Sequence, residues 1–187
     1  MSQKHRVFVS FYHKEDQWYK DRFEYLFGDL YEIMVSESVE FGDIDPKTQG
    51  QRTRQIIRDK YLRGSSVTVV LIGPHTWQRK HVDWEIHSTL RDTEYNPRGG
   101  LLGLLLPTRT DYGNGKDVDW CTIPPILYDN LLTNQNNESY ANIYDWDENP
   151  SIIQKWIQHA FEKRTRILPT LARDMYGRNH TGNGWCN

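Results

Sequence analysis

Short apolar runs alternate along this chain with stripes of helical period, and that alternation predicts the architecture. Arg6-Val7-Phe8-Val9-Ser10-Phe11 is rich in β-formers and opens the fold as a strand. After the polar turn Tyr12–Asp16, residues Tyr19, Phe23, Leu26 and Leu30 recur at i, i+4, i+7 and i+11, the buried stripe of a helix. Ile33-Met34-Val35 is a short second strand. Glu37–Gly50 is acidic and punctuated by Gly and Pro, which reads as a loop, and a charged helix follows over about Gln51–Leu62. Ser66–Ile72 is nearly continuously apolar and stops at Gly73-Pro74, as a central parallel strand buried on both faces does. Val82, Ile86 and Leu90 repeat every four residues in a helix from about Arg79 to Thr93. Gly99-Gly100 ends it, and Leu101–Leu106 forms another two-sided strand that Pro107 stops.

Residues 107–140 are rich in turn formers (Asp111-Tyr112-Gly113-Asn114-Gly115, Pro124-Pro125, Asn134–Asn137) and read as one long irregular connection. Ile143–Trp146 is a last strand. Asn149-Pro150 then caps a helix from Ser151 to about Lys163, with Ile153, Trp156, Ile157, Ala160 and Phe161 on one face. The tail beyond Arg164 has no steady period and reads as an extended appendage. Strand–helix alternation implies right-handed βαβ crossovers, so the expected class is α/β, a parallel sheet of about five strands with helices on both faces. One domain is expected over residues 1–165, with an irregular C-terminal extension over 166–187 packed on it.

Composition narrows the function classes. Lys plus Arg total 23 against 25 Asp plus Glu, a net charge of −2, which gives no basic field for nucleic acid. The longest apolar runs fall well short of the roughly 18–20 residues of a membrane span. The polar start passes straight into a strand with no secretory apolar region. Cys121 and Cys186 lie far apart and fit no metal-ligand spacing, so they read as reduced thiols rather than a disulfide, and the expected location is cytoplasmic. Aromatics make up 13% of the chain, with 7 Trp and 11 Tyr, so a few large rings carry much of the burial.

In open α/β sheets, ligands bind beyond the carboxyl ends of the strands. No G-x-G-x-x-G follows the first strand and no G-x-x-x-x-G-K-[ST] occurs, so neither a dinucleotide oxidoreductase nor a P-loop NTPase is supported. The acids of a phospho-receiver are also missing: the two strand ends read Ser10-Phe11-Tyr12 and Gly73-Pro74-His75. Histidines 13, 75, 81 and 87 crowd these ends without H-E-x-x-H or a cysteine partner, so no metal site is expected. What stands there is aromatic and carboxylate: Ser10-Phe11-Tyr12-His13, then His75-Thr76-Trp77. On the next helix His81 and Glu85 share a face at i, i+4. From periodicity alone Glu85 reads as an ordinary helix-surface glutamate rather than a functional one.

The first-strand box Val7-Phe8-Val9-Ser10-Phe11 resembles that of Toll/interleukin-1 receptor (TIR) domains. The run Val67–Ile72, Gly73, then Thr76-Trp77-Gln78-Arg79-Lys80-His81-Val82-Asp83-Trp84-Glu85-Ile86 resembles the family's third strand and following helix. Glu85 stands where TIR enzymes carry a catalytic glutamate, and His81 where they carry a tryptophan. Within that family the chain is similar to the TIR-like ThsB proteins of bacterial Thoeris anti-phage systems, over about residues 6–106. The resemblance implies a flavodoxin-like/TIR-like fold and cleavage of NAD⁺ at the nicotinamide–ribose bond, with NAD⁺ as substrate and no cofactor. It implies Glu85 as catalytic residue, with Ser10, Phe11, Tyr12, Trp77 and His81 around the substrate. It further implies a cyclic ADP-ribose-type signal to a separate effector, and self-association through a loop containing Asp43 and Asp45. Two other functions compete: a non-catalytic TIR-like interaction module, and a nucleoside-type glycosidase on a similar fold.

Overall fold

Strands β1 (His5–Ser10), β2 (Met34–Glu37), β3 (Val67–Ile72), β4 (Gly100–Leu105) and β5 (Asn142–Asp145) form one parallel sheet in the order β2-β1-β3-β4-β5. The computed structural model describes residues 4–37, 64–93, 97–114, 117–132 and 136–186. The acidic loop beyond Glu37, with Asp43 and Asp45, and the charged helix expected over about 51–62 lie outside the described residues. Among the described residues the α-helices are α1 (His13–Glu24), α2 (Lys80–Leu90), α3 (Pro125–Leu131) and α4 (Pro150–Arg166). None of the described helices is long and apolar enough to cross a membrane.

Each sheet face buries its own core because strand side chains alternate. Val7, Val9, Phe11, Val67, Val69 and Leu71 pack with Phe23 of α1 and with Ile153 and Ile157 of α4. Val70, Ile72, Leu101 and Leu105 pack on the other face with Val82, Ile86 and Leu90 of α2 and Ile126 of α3. Every residue of β3 and β4 is buried, as their unbroken apolar runs require. Gly100 is needed for this layering, because a Cβ there would collide with the backbone of Ala160 in α4. At the start of α4, the Asn149 side chain accepts from the Ser151 N–H at 3.0 Å, and Lys163, Arg164 and Arg166 place positive charge on its last turn.

Three expectations are corrected. The stripe Tyr19, Phe23, Leu26, Leu30 breaks at its end, because Tyr25–Leu30 is a π-helical turn in which the Tyr31 N–H reaches Leu26 O at 2.9 Å. The wider turn rotates Phe27 into the core and Leu30 out to solvent. The long connection after β4 contains α3, for which Pro125 supplies the first turn, where its missing N–H costs nothing. Finally, Cys121 and Cys186 form a disulfide, with Cα atoms 5.3 Å apart and a separation of 65 positions in sequence. Linear spacing hides this pair because the irregular tail folds back across the domain. In the chain-entropy picture such a long loop is worth about 4 kcal/mol against the unfolded chain.

Candidate functional site

β1 ends at Ser10, whose side chain faces α2. The Ser10 hydroxyl is fully buried and donates to Glu85 Oε2 at 2.5 Å. Glu85 lies in the second turn of α2, beside Ile86, so the same packing that buries Ile86 draws the carboxylate against the sheet. It retains 8% exposure. Burial pushes its pKa up to about 8, and the Ser10 hydrogen bond opposes that rise. A desolvated carboxyl with this pKa is protonated in most molecules near pH 7, and a neighbouring cation favours its ionised form. One helical turn further on, Thr89 Oγ1 donates to Glu85 O at 3.0 Å and contacts Thr68 Oγ1 at 2.7 Å, tying the helix to β3.

Beside this pair His81 Nε2 lies 3.2 Å from Phe11 O. A carbonyl only accepts, so Nε2 carries the proton. The Phe11 and His13 rings are 4.1 Å apart, and the His13 and His81 rings 5.6 Å. Burial pushes both histidines down to about 4, so the pair is neutral and adds no cation. The positive charge here belongs to Arg79, which stands at the residue before α2 and lies 4.3 Å above the Tyr12 ring.

The structure brings together Ser10, Phe11, His81 and Glu85 and leaves Tyr12 half-buried at their margin. The resemblance also places the Phe11, Tyr12 and Trp77 rings around the substrate, and the structure turns two of these rings inward. Trp77 is 2% exposed and Phe11 3%, so neither ring has a free face in this structure. Trp77 sits in a 3-10 turn, Thr76–Gln78, that rolls its large apolar ring inward. Tyr12 has one face under the Arg79 guanidinium.

Sequence reasoning missed a second carboxylate. Asp16, in the first turn of α1, is 1% exposed and sits between the ends of β1 and β3. The Gly73 N–H donates to Thr76 Oγ1 at 2.9 Å, and that hydroxyl donates to Asp16 Oδ2 at 3.1 Å. A Cβ on Gly73 would collide with the Asp16 carboxylate, so the glycine is a steric requirement. Burial pushes Asp16 up to about 6. The available signal was the pair itself: an acid in the first turn after β1 facing a glycine after β3, across the point where the strand order reverses. Arg79 was also missed, since cation–ring contacts leave no sequence period. Among the described residues no group of His, Cys, Asp and Glu stands close enough together to hold a metal ion.

No curated protein matches the chain. The family model for the TIR-like domain of the Thoeris protein ThsB matches residues 8–111, which span β1 through β4 and carry Ser10, Asp16, Gly73 and Glu85. That is more than half of the chain, and it belongs to the Thoeris ThsB TIR-like domain family.

Proposed function

We propose that this Thoeris family member cleaves NAD⁺ at the nicotinamide–ribose bond, with Glu85 as the catalytic carboxylate. The observation that carries the reading is the buried Ser10–Glu85 pair at the carboxyl end of β1, where an α/β sheet places its ligand. Nicotinamide in NAD⁺ is a cationic leaving group, so it departs with the bonding electron pair and needs no general acid. The transition state needs a negative charge beside an oxocarbenium-like ribose. A carboxylate in a desolvated site supplies it with little screening and little reorganisation. The cationic ring itself favours ionisation of Glu85 on binding, and Ser10 holds one oxygen fixed and leaves Oε1 to the sugar. Arg79 is the group we assign to the substrate's pyrophosphate.

The ribosyl cation is then captured by water, which loses a proton to give ADP-ribose, or by a nucleophile of the same molecule, which gives a cyclic ADP-ribose isomer. Signalling through a cyclic product to a separate effector, and self-association of the chain, extend the same reading. The test is incubation of purified protein with NAD⁺, and of extract from phage-challenged cells if the pure protein is silent, with nicotinamide followed by chromatography and mass spectrometry. Wild type releases nicotinamide and Glu85→Gln does not. Equal release by both proteins removes Glu85 from the mechanism, and no release under either condition favours the non-catalytic module.

A further inference from the structure

The last fourteen described residues, Arg173–Cys186, follow no helix or strand, yet they are held at both ends. At the far end Cys186 is bonded to Cys121. Beside that bond the Trp185 N–H donates to Cys121 O at 2.9 Å, and Trp185 Nε1 to Ile123 O at 2.8 Å. At the near end Arg173 makes two bonds to Asp129, of 2.8 and 2.9 Å. Between these anchors the tail grips α2. Asn179 Oδ1 accepts from the Lys80 N–H at 3.0 Å, Asp83 Oδ2 accepts from the Tyr176 N–H at 2.8 Å, and Trp84 Nε1 donates to Tyr176 O at 2.8 Å. The His180 N–H reaches Gln78 O at 2.8 Å, and Gln78 Nε2 reaches Gly182 O at 3.0 Å.

The start of α2 explains why this matters. Arg79, at the cap position, makes no side-chain capping bond, so a first-turn amide of the helix is satisfied from Asn179, 99 residues later in the chain. At 100° per residue, Trp84 and Asp83 point about 100° and 200° away from Glu85. The tail therefore grips the helix on the side away from Ser10, which makes it a brace and not a lid. It is also polar and thinly packed: residues 177–183 are exposed throughout. Without a covalent end such a segment frays readily.

We propose that Arg173–Cys186 is a positioning element for the helix that carries Glu85, with Asn179 and Tyr176 as positioning residues, and that the Cys121–Cys186 disulfide is its redox latch. Cys186 is exposed and open to attack by a small dithiol reductant. The reductant's thiolate attacks Cys186 Sγ and releases Cys121 as a thiolate, which takes up a proton. The second reductant thiol then displaces Cys186, so two electrons pass to the protein and the reagent closes its own disulfide. Opening the latch loosens the cap on Lys80 and the grip on Asp83 and Trp84. The effect on Glu85 rests on the NAD⁺ reading above, whereas the brace itself does not.

The test is hydrogen exchange at single amides of the full chain, oxidised and after dithiothreitol, with Cys186→Ser and Asn179→Ala beside wild type and nicotinamide release measured in parallel. Reduction and Cys186→Ser each speed exchange of the Lys80 and His180 amides by roughly tenfold, with far-UV circular dichroism unchanged, and nicotinamide release falls several-fold. Asn179→Ala keeps the disulfide and speeds the Lys80 amide alone. Unchanged Lys80 exchange after reduction overturns the latch, and unchanged exchange in Asn179→Ala overturns the cap. Faster exchange in a preparation that never releases nicotinamide supports the brace and counts against the NAD⁺ reading alone. Faster exchange with undiminished turnover overturns the positioning role.

Discussion

Glu85 and Asp16 are both buried carboxylates at strand ends, each holds one hydroxyl donor, and burial raises the pKa of both. Their surroundings separate them. Asp16 is closed on every side the structure describes: Thr76 holds one oxygen, and the Cα of Gly73 is packed so tightly against the carboxylate that a side chain there cannot fit. Glu85 is bonded through one oxygen to Ser10, keeps a residual opening to solvent, and has the higher pKa, about 8 against about 6. Burial alone therefore does not mark a reactive carboxylate. Asp16 is packed against Gly73 with no opening to solvent, whereas Glu85 keeps an opening through which its second oxygen can meet a developing cation. In this reading Asp16 welds the β1–α1 and β3–α2 connections together, and Glu85 works at the surface that the weld keeps in place.

The largest expected effect separates the two acids by activity. Glu85→Gln lowers nicotinamide release by about 10³-fold or more, the scale of losing a main electrostatic group, while Asp16→Asn, which keeps the Thr76 bond, stays within about tenfold. Steady-state kinetics on both proteins, with circular dichroism as a folding control, decides this. Comparable losses in the two variants would dissolve the distinction.

Next in size is the steric weld. Gly73→Ala pushes a methyl group into the Asp16 carboxylate, and urea unfolding should place the variant about 2–3 kcal/mol below wild type, the range of an overpacked core. The double variant Gly73→Ala with Asp16→Ala should recover part of that loss. A single variant as stable as wild type would place the weld elsewhere.

The third effect concerns stability against pH. A carboxyl whose folded pKa is raised is neutral in both states below its unfolded value of about 4.3, so it costs nothing there. Between that value and about 8 the folded state must take up a proton, so the stability held at low pH is lost progressively as pH rises through this window. Glu85→Gln removes that loss. It should match wild type near pH 4 and exceed it at pH 9 by up to about 5 kcal/mol, measured by denaturant unfolding at both pH values. Equal stability at pH 9 would mean that Glu85 titrates as an exposed acid does.

The smallest effect belongs to Ser10. Its hydrogen bond favours the ionised form, so Ser10→Ala should move the Glu85 titration upward by about half a pH unit to one unit. Carboxyl-carbon NMR reads this without reference to turnover, and a downward shift would reverse the role given to Ser10.

The parts of this comparison were unequally legible in the sequence. The two-sided runs of β3 and β4, the Ile153–Ile157 face of α4 and the Val82–Ile86–Leu90 face of α2 follow from period alone, because each element buries a face against one neighbouring layer. Glu85 fitted an ordinary surface glutamate by period, and the resemblance of its flanking residues to a known family singled it out. Asp16 was hidden because a first-turn acid is common and its meaning depends on Gly73, 57 residues later in the chain. Leu30 misled because the π-helical turn around Gly28 shifts the register of the stripe. Trp77 misled because a ring near a strand end can turn inward as easily as outward. The Cys121–Cys186 bond was illegible because two cysteines 65 residues apart say nothing about a tail that folds back.

The pH dependence of kcat/KM for nicotinamide release from NAD⁺ by the wild-type protein tests the central claim most directly, since it reports the essential group of the free enzyme. Activity that rises with pH through an inflection near 8 is the predicted result, because Glu85 must be ionised to act and burial holds it protonated below that value. A profile that is flat from pH 6 to 9, or that falls across that range, would contradict the assignment of Glu85 as the catalytic carboxylate.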